Sequence, residues 1–169
     1  MKWAAIVFLG LILLVAAVAA IGAMLPKSHV ASRTSRFRQP PQAIWDVITG
    51  PSDWRPDIRT EKLPPRDGRR TWAETDKHGN RITYESVEET PARRLVTRIA
   101  DPKLPFGGAW TQEIVPDQNG CVVTITENGE VYNPIFRFMS RFVFGYYGTI
   151  DAYLKALHAK FGETGEREG

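Results

Sequence analysis

The chain has 169 residues, a formal charge of +3 and 43% apolar residues, enough for one ordinary domain. The average hides two parts: residues 1–25 hold 22 apolar residues, while the other 144 are 35% apolar, with 21 Lys+Arg against 19 Asp+Glu and 16 aromatics. The interleaved, nearly balanced charge excludes a clustered basic nucleic-acid face, the lone Cys121 excludes a disulfide framework or a cysteine-rich zinc site, and the aromatics exclude disorder.

Ala4 to Leu25 is a run of 22 residues without a charge. As a helix it would span about 33 Å, enough for a hydrocarbon core of about 30 Å. Two readings stay open. As an anchor, it has Trp3 at one interface and Lys27 at the other. As a signal peptide, Lys2 is the charged start, Ile6 to Val15 the apolar centre and Ala17-Val18-Ala19 an A-x-A-like site. The apolar run past Ala19 favours the anchor. The expected division is therefore 1–26 membrane anchor or signal peptide, 27–162 folded domain, and 163–169 a polar tail that frays. Lys27, Arg33, Arg36 and Arg38 follow the span, against Lys2 and the amino terminus before it. That balance leans towards a cytoplasmic domain.

Val30 to Arg38 reads as a strand, stopped by Gln39-Pro40-Pro41. Ile44, Trp45 and Ile48 at helical spacing give a short helix over Gln42–Ile48, and Ser52 caps one more turn before Pro56. Six strands follow, Arg59–Leu63, Arg70–Thr75, Arg81–Glu88, Arg93–Ala100, Ala109–Val115 and Cys121–Tyr132, joined by short turns that favour an antiparallel meander. Asn133 and Pro134 then start a long helix. Its stripe of Ile135, Met139, Phe142, Tyr146, Ile150, Tyr153, Leu157 and Phe161 would lie across the sheet.

This order of elements, together with certain residues, resembles the START and pollen-allergen-like helix-grip superfamily (SRPBCC), in its bacterial polyketide cyclase/dehydrase-type branch. The residues are Pro40-Pro41-Gln42-Ala43-Ile44-Trp45-Asp46-Val47-Ile48 with Trp54-Arg55-Pro56, then Glu89-Thr90-Pro91-Ala92-Arg93-Arg94-Leu95, Gly108-Ala109-Trp110, Gly120 to Ile125 and Tyr146-Tyr147-Gly148 to Leu157. The resemblance covers roughly Val30 to Phe161. It implies an α+β helix-grip fold, a curved antiparallel sheet of about seven strands around one long C-terminal helix, here preceded by a transmembrane helix. It also implies a cavity for a hydrophobic or lipid-like small molecule, and a bacterial inner membrane for the anchored protein. It does not imply one reaction.

The expected ligand-binding residues are Trp72, Glu74, Tyr84, Phe106, Trp110, Gln112, Tyr132, Met139, Phe142 and Tyr146. Strand alternation puts Trp72 with Glu74, Trp110 with Gln112, and Val123 and Ile125 with Glu127. If those faces are concave, Glu74, Gln112 and Glu127 are polar groups in an apolar cavity, and Glu127 is the acid/base candidate. The competing reading is cross-strand salt bridges on the wet face. Arg98, on the opposite parity, faces water. His29, His78 and His158 are expected to face solvent or the membrane surface; none sits at metal-ligand spacing, and no metal or cofactor is expected. Cys121 has no evident base nearby. The segment Phe136 to Phe144 is apolar on more than one face yet holds Arg137 and Arg141. Either its outer aromatics cover the cavity mouth or touch the bilayer, or loops of the sheet cover them.

Three functions are consistent with this reading. The first is a membrane-anchored binding domain without catalysis; the partners are then a lipid-like molecule and the membrane, with no nucleic acid and an open oligomeric state. The second is a cyclase or dehydratase using Glu127 with Tyr84 or Tyr132. The third is a membrane assembly or stress factor with a collapsed cavity.

Overall fold

The structure, a computed structural model, describes residues 2–164 and 167–168. The apolar run forms helix α1 (Lys2–Met24), which is long and apolar enough to cross a membrane. Strand β1 (Ser28–Phe37) follows almost at once. Helix α2 (Pro41–Thr49), with prolines before and at its first position, and a 3₁₀ turn (Ser52–Trp54) lead into the sheet.

Six strands make an antiparallel meander: β2 (Ile58–Arg66), β3 (Arg69–Asp76), β4 (Arg81–Thr90), β5 (Arg94–Ile99), β6 (Phe106–Asp117) and β7 (Gly120–Val131). β1 closes the order by pairing with β7 over its full length, His29 opposite Gly129 and Phe37 opposite Cys121. A register shift between Ser86 and Glu88 on β4 bends the sheet. The fold class is as expected, an antiparallel sheet wrapped on a C-terminal helix, its seven main strands joined at one edge by a short eighth. Two strands begin more than one residue earlier than their sequences suggest: β1 at Ser28, and β6 at Phe106, which falls inside a stretch expected to be a turn.

The final helix is not continuous. Asn133 caps α3 (Pro134–Met139), its Oδ1 accepting from the amides of Ile135 (2.9 Å) and Phe136 (3.2 Å). A π-helical turn (Ser140–Phe144) follows, and Gly145 breaks the path at φ 72°, ψ −178°, a region essentially closed to other residues. Helix α4 (Gly148–Lys160) starts anew. Only α4 lies across the sheet. Its Ile150, Leu154 and Leu157 are buried against Ile114, Val123 and Ile125, with Ile44 and Trp45 of α2 closing one end. Each such side chain contributes about 1.5–3 kcal/mol by leaving water.

The polar tail does not simply fray. Glu163 accepts from the backbone amide of Arg38 (3.2 Å) and from Gln39 Nε2 (2.9 Å). Arg167–Glu168 forms a short strand, β8, antiparallel to β1 at Thr34 and Ser35. Residues 165, 166 and 169 of that expected tail lie outside the described residues.

Candidate functional site

Between the concave face of the sheet and α4 runs an open cleft of about 2230 Å³. Alternation sends the expected residues into it. Trp72, Glu74, Tyr84, Phe106, Trp110 and Gln112 line it from the strands, and Met139 and Tyr146 from the helical segment. Tyr132 and Phe142 do not. Tyr132 is 46% exposed, its hydroxyl donating to Glu130 Oε2 at 2.7 Å. Phe142 is 59% exposed and packs its ring on Phe138. Both misplacements have one cause: the chain leaves the sheet at Val131 and returns only at Gly148.

Two polar clusters stand among the aromatic side chains of this cleft. In the first, Glu127 of β7 accepts from Trp110 Nε1 at 2.9 Å and lies 3.2 Å from His29 Nε2. The imidazole stacks on Tyr146 with centroids 3.9 Å apart. Glu127 is thus on the concave face, half-buried and partnered, and the reading of it as a wet-face salt bridge falls. His29, expected to face solvent or membrane, instead faces the cleft, because β1 begins at Ser28 and its odd positions point inward.

In the second cluster, the Arg55 guanidinium grips both oxygens of Glu74: Nη1 donates to Oε2 at 3.0 Å and Nη2 to Oε1. Nη2 also reaches Ser52 Oγ at 3.0 Å, and Trp72 Nε1 donates to Glu74 Oε1 at 3.3 Å. Burial works against the Arg55 charge, yet the hydrogen bonds and charge of Glu74 outweigh it and hold its pKa above the ordinary value. Arg55 Nε and Gln112 Oε1 are buried without a hydrogen-bond partner. Burial, helped by the charge of Glu74, pushes the Tyr84 phenol well above its ordinary range. Burial pushes Tyr153 up to about 12, with Arg55 opposing. Both phenols therefore stay protonated at neutral pH and can donate.

The remaining expectations sort clearly. Arg98 is exposed on the convex face, where it pairs with the buried Glu85, as its parity requires. His78 is exposed in the turn after β3. His158 is a second correction: it is 4% exposed, stacked on Phe37 at 4.0 Å and within 2.7 Å of Ser35 Oγ. Burial, with the charge of Glu163, pushes the Cys121 thiol up to about 11, so it carries no nucleophile at neutral pH. Among the described residues no group of three His, Cys, Asp or Glu could hold a metal ion. Phe136 and Phe144 are 49% and 71% exposed, so loops of the sheet do not cover them.

Chemically, the cleft offers aromatic walls for an apolar body and two fixed polar points. One is a carboxylate beside an imidazole; the other is an arginine–carboxylate pair beside two protonated phenols. Residue-by-residue reading missed His29, Arg55 and Tyr153 as cleft groups. His29 carried a usable signal in its odd position in β1, and Tyr153 in its place on the helical stripe that faces the sheet.

Residues 28–161 match the family model described as polyketide cyclase / dehydrase and lipid transport. No curated protein matches the chain by sequence. Solved structures with a similar fold include truncated norcoclaurine synthase from Thalictrum flavum, at TM-score 0.63 and 15% identity, covering 81% of this chain and 95% of that one. The di-domain ARO/CYC StfQ from the steffimycin biosynthetic pathway gives a TM-score of 0.60 at 13% identity, covering 78% of this chain and 50% of StfQ. Protein MLL2253 from Mesorhizobium loti gives 0.59 at 15% identity, covering 80% and 96%. Identities this low bear on the fold alone.

Proposed function

Since the chain belongs to the polyketide cyclase/dehydrase and lipid transport family, we propose that it is a membrane-anchored domain that holds a hydrophobic or lipid-like molecule between its sheet and α4. In this reading 1–26 is a retained anchor, 27–162 the binding domain, and 163–169 a tail. The protein sits in a bacterial inner membrane with its domain on the cytoplasmic side, and it works without nucleic acid.

One observation carries the reading. The cleft sets aromatic walls beside polar groups held by their own partners, as at Glu127 and Glu74, and beside buried polar atoms of Arg55 and Gln112 that have no partner of their own to satisfy them. Such a site gains by removing apolar ligand surface from water and orients the ligand through a few polar contacts. The test is native mass spectrometry, with solvent extraction, of the full-length protein purified from its own membranes. A bound species of defined, apolar composition is the expected result. Protein that is repeatedly empty, and that takes up no added phospholipid or fatty acid, overturns the reading.

A second reading is favoured by the His29–Glu127 pair. A carboxylate beside an imidazole can fix the imidazole's tautomer and orientation, as a general base requires. The cyclase or dehydratase alternative would use this pair, with Tyr84 in the same cleft, rather than Glu127 with Tyr132, which does not line it. It predicts that the extracted ligand is chemically altered over time by the wild type and unchanged by Glu127→Gln. Identical ligand from both proteins supports binding alone.

A further inference from the structure

The end of α1 is not a free tether. Gly22 is buried, and a Cβ there would stand 1.9 Å from the carbonyl oxygen of Pro134. Val18 and Ala19, a turn earlier, and Leu25, a turn later, are partly covered, whereas the rest of α1 is exposed. Residues three and four apart share a helix face, so α3 lies along the last two turns of α1. Arg137 locks the contact. It is 7% exposed, and its Nη1 donates to Leu25 O at 3.0 Å and to Ala23 O at 3.4 Å, while Nη2 donates to Tyr132 O at 3.2 Å. Two of these are end carbonyls that a helix leaves without partners, and in lipid no water would serve them.

The far side of the segment is bare. Phe136, Phe142, Val143 and Phe144 are 49%, 59%, 58% and 71% exposed. No acidic residue occurs from Pro134 to Gly148. Length decides where this face lies. If α3 stood in water, it would hold the last two turns of α1 in water too. About 16 residues would then be left to span, roughly 24 Å against a hydrocarbon core of about 30 Å. The full helix, at about 35 Å, crosses the core only if α3 enters the bilayer beside the last turns of α1.

We infer that residues 134–144 are a membrane-embedded element, docked on α1 by Gly22 and Arg137, that holds the mouth of the cleft at the level of the lipids. Phe136, Met139, Ser140 and Phe144 line the cleft as well as belonging to this segment, so an apolar molecule passes from bilayer to cleft without crossing water. The inference rests on α1 being the retained anchor of the proposed function.

The test uses the full-length chain in phosphatidylcholine and phosphatidylglycerol vesicles. Its intact mass is read first, because cleavage after Ala19 would overturn the anchor and this inference together. Single cysteines are placed at Phe142, Phe144 or, as a water-exposed control, His78, in a Cys121→Ala background, and labelled with an environment-sensitive fluorophore. Expected are blue-shifted emission and quenching by doxyl-labelled lipid at 142 and 144, and neither at 78. Aqueous emission at all three positions with α1 retained overturns this inference and leaves the anchor standing. If the labelled variants do not fold, photoactivatable phosphatidylcholine is crosslinked to the unmodified chain. Adducts within 136–144 support the inference, and adducts on α1 alone overturn it. Ligand occupancy is read separately by native mass spectrometry, so an empty cleft above lipid-exposed 142 and 144 counts against the binding reading and not against this one.

Discussion

Glu127 carries two roles that a single substitution separates. Its carboxylate accepts from the Trp110 indole and sits beside the His29 imidazole. Glu127→Ala leaves the indole N–H without an acceptor inside the cleft, a loss of about 1–3 kcal/mol. Glu127→Gln keeps an acceptor for the indole and is expected to cost clearly less; equal urea midpoints for the two variants would contradict this account. His158 makes a prediction about pH. Burial holds its pKa below the ordinary 6.5, although Glu163 opposes the shift. The unfolded chain therefore binds the proton more readily than the folded one, and stability rises with pH while that difference lasts. The contribution is complete above about pH 6.5 and falls away below it. Urea midpoints are expected to drop from pH 7.5 to 5.5, and the His158 ring signals in NMR to titrate below 6.5; titration above 6.5 would reverse the sign. These residues also show what the sequence carries. Period-two parity reached Trp72, Glu74, Trp110, Gln112 and Glu127, because a strand sends alternate side chains to one face. It missed His29 by starting β1 two residues late. It missed Arg55 because a 3₁₀ connection has no period to read. His158 was missed because its neighbours, Leu154 and Leu157, and not its own polarity, set its burial.

At the level of elements, the sheet and α2 follow from the sequence because turn residues mark their limits, while the final helix does not. Apolar residues recur at helical spacing straight through Gly145, yet the backbone there is at φ 72°. Hydrophobic spacing reports which side chains could share a face and is blind to a single dihedral. The break is what carries α3 away from the sheet, and Gly145→Ala tests it. Nothing blocks a Cβ at that position sterically, so its whole cost is backbone strain, about 1–3 kcal/mol. Chemical denaturation measures it; a neutral result would mean that the segment can run as one helix. Leu157→Ala, in α4, is the contrasting case. It is fully buried against the sheet, and its loss is expected to cost about 2–5 kcal/mol through the cavity left behind. An Arg81→Ala control bears on a pair with Glu61 that is exposed on both sides and is expected to cost far less.

For the molecule as a whole, the decisive question is whether α1 is part of the folded unit or only tied to it. The two alternatives differ in how a deletion and a substitution combine. Arg137 spends two of its three hydrogen bonds on carbonyls of residues 23 and 25, which a chain beginning at Lys27 lacks. If α1 is docked, Arg137→Gln in the full-length protein removes charge-assisted bonds, each worth about 1.5–3 kcal/mol, and lowers the unfolding midpoint of the domain in mild detergent. In the shortened chain those bonds are already gone, and the same substitution has only the Tyr132 carbonyl left to release. The two changes are then strongly non-additive, as expected of groups in direct contact. If α1 is a passive leash, Arg137→Gln has the same effect with and without it. The cycle needs only thermal or urea unfolding of four proteins under one condition. A fifth adds a separate check: the shortened chain exposes Gly22's former contact at Pro134 beside Phe136, Phe142 and Phe144. It is expected to self-associate with rising concentration, and Phe142→Ser with Phe144→Ser to suppress this. A shortened chain that stays monomeric at all concentrations would mean that the segment needs neither α1 nor lipid to cover it.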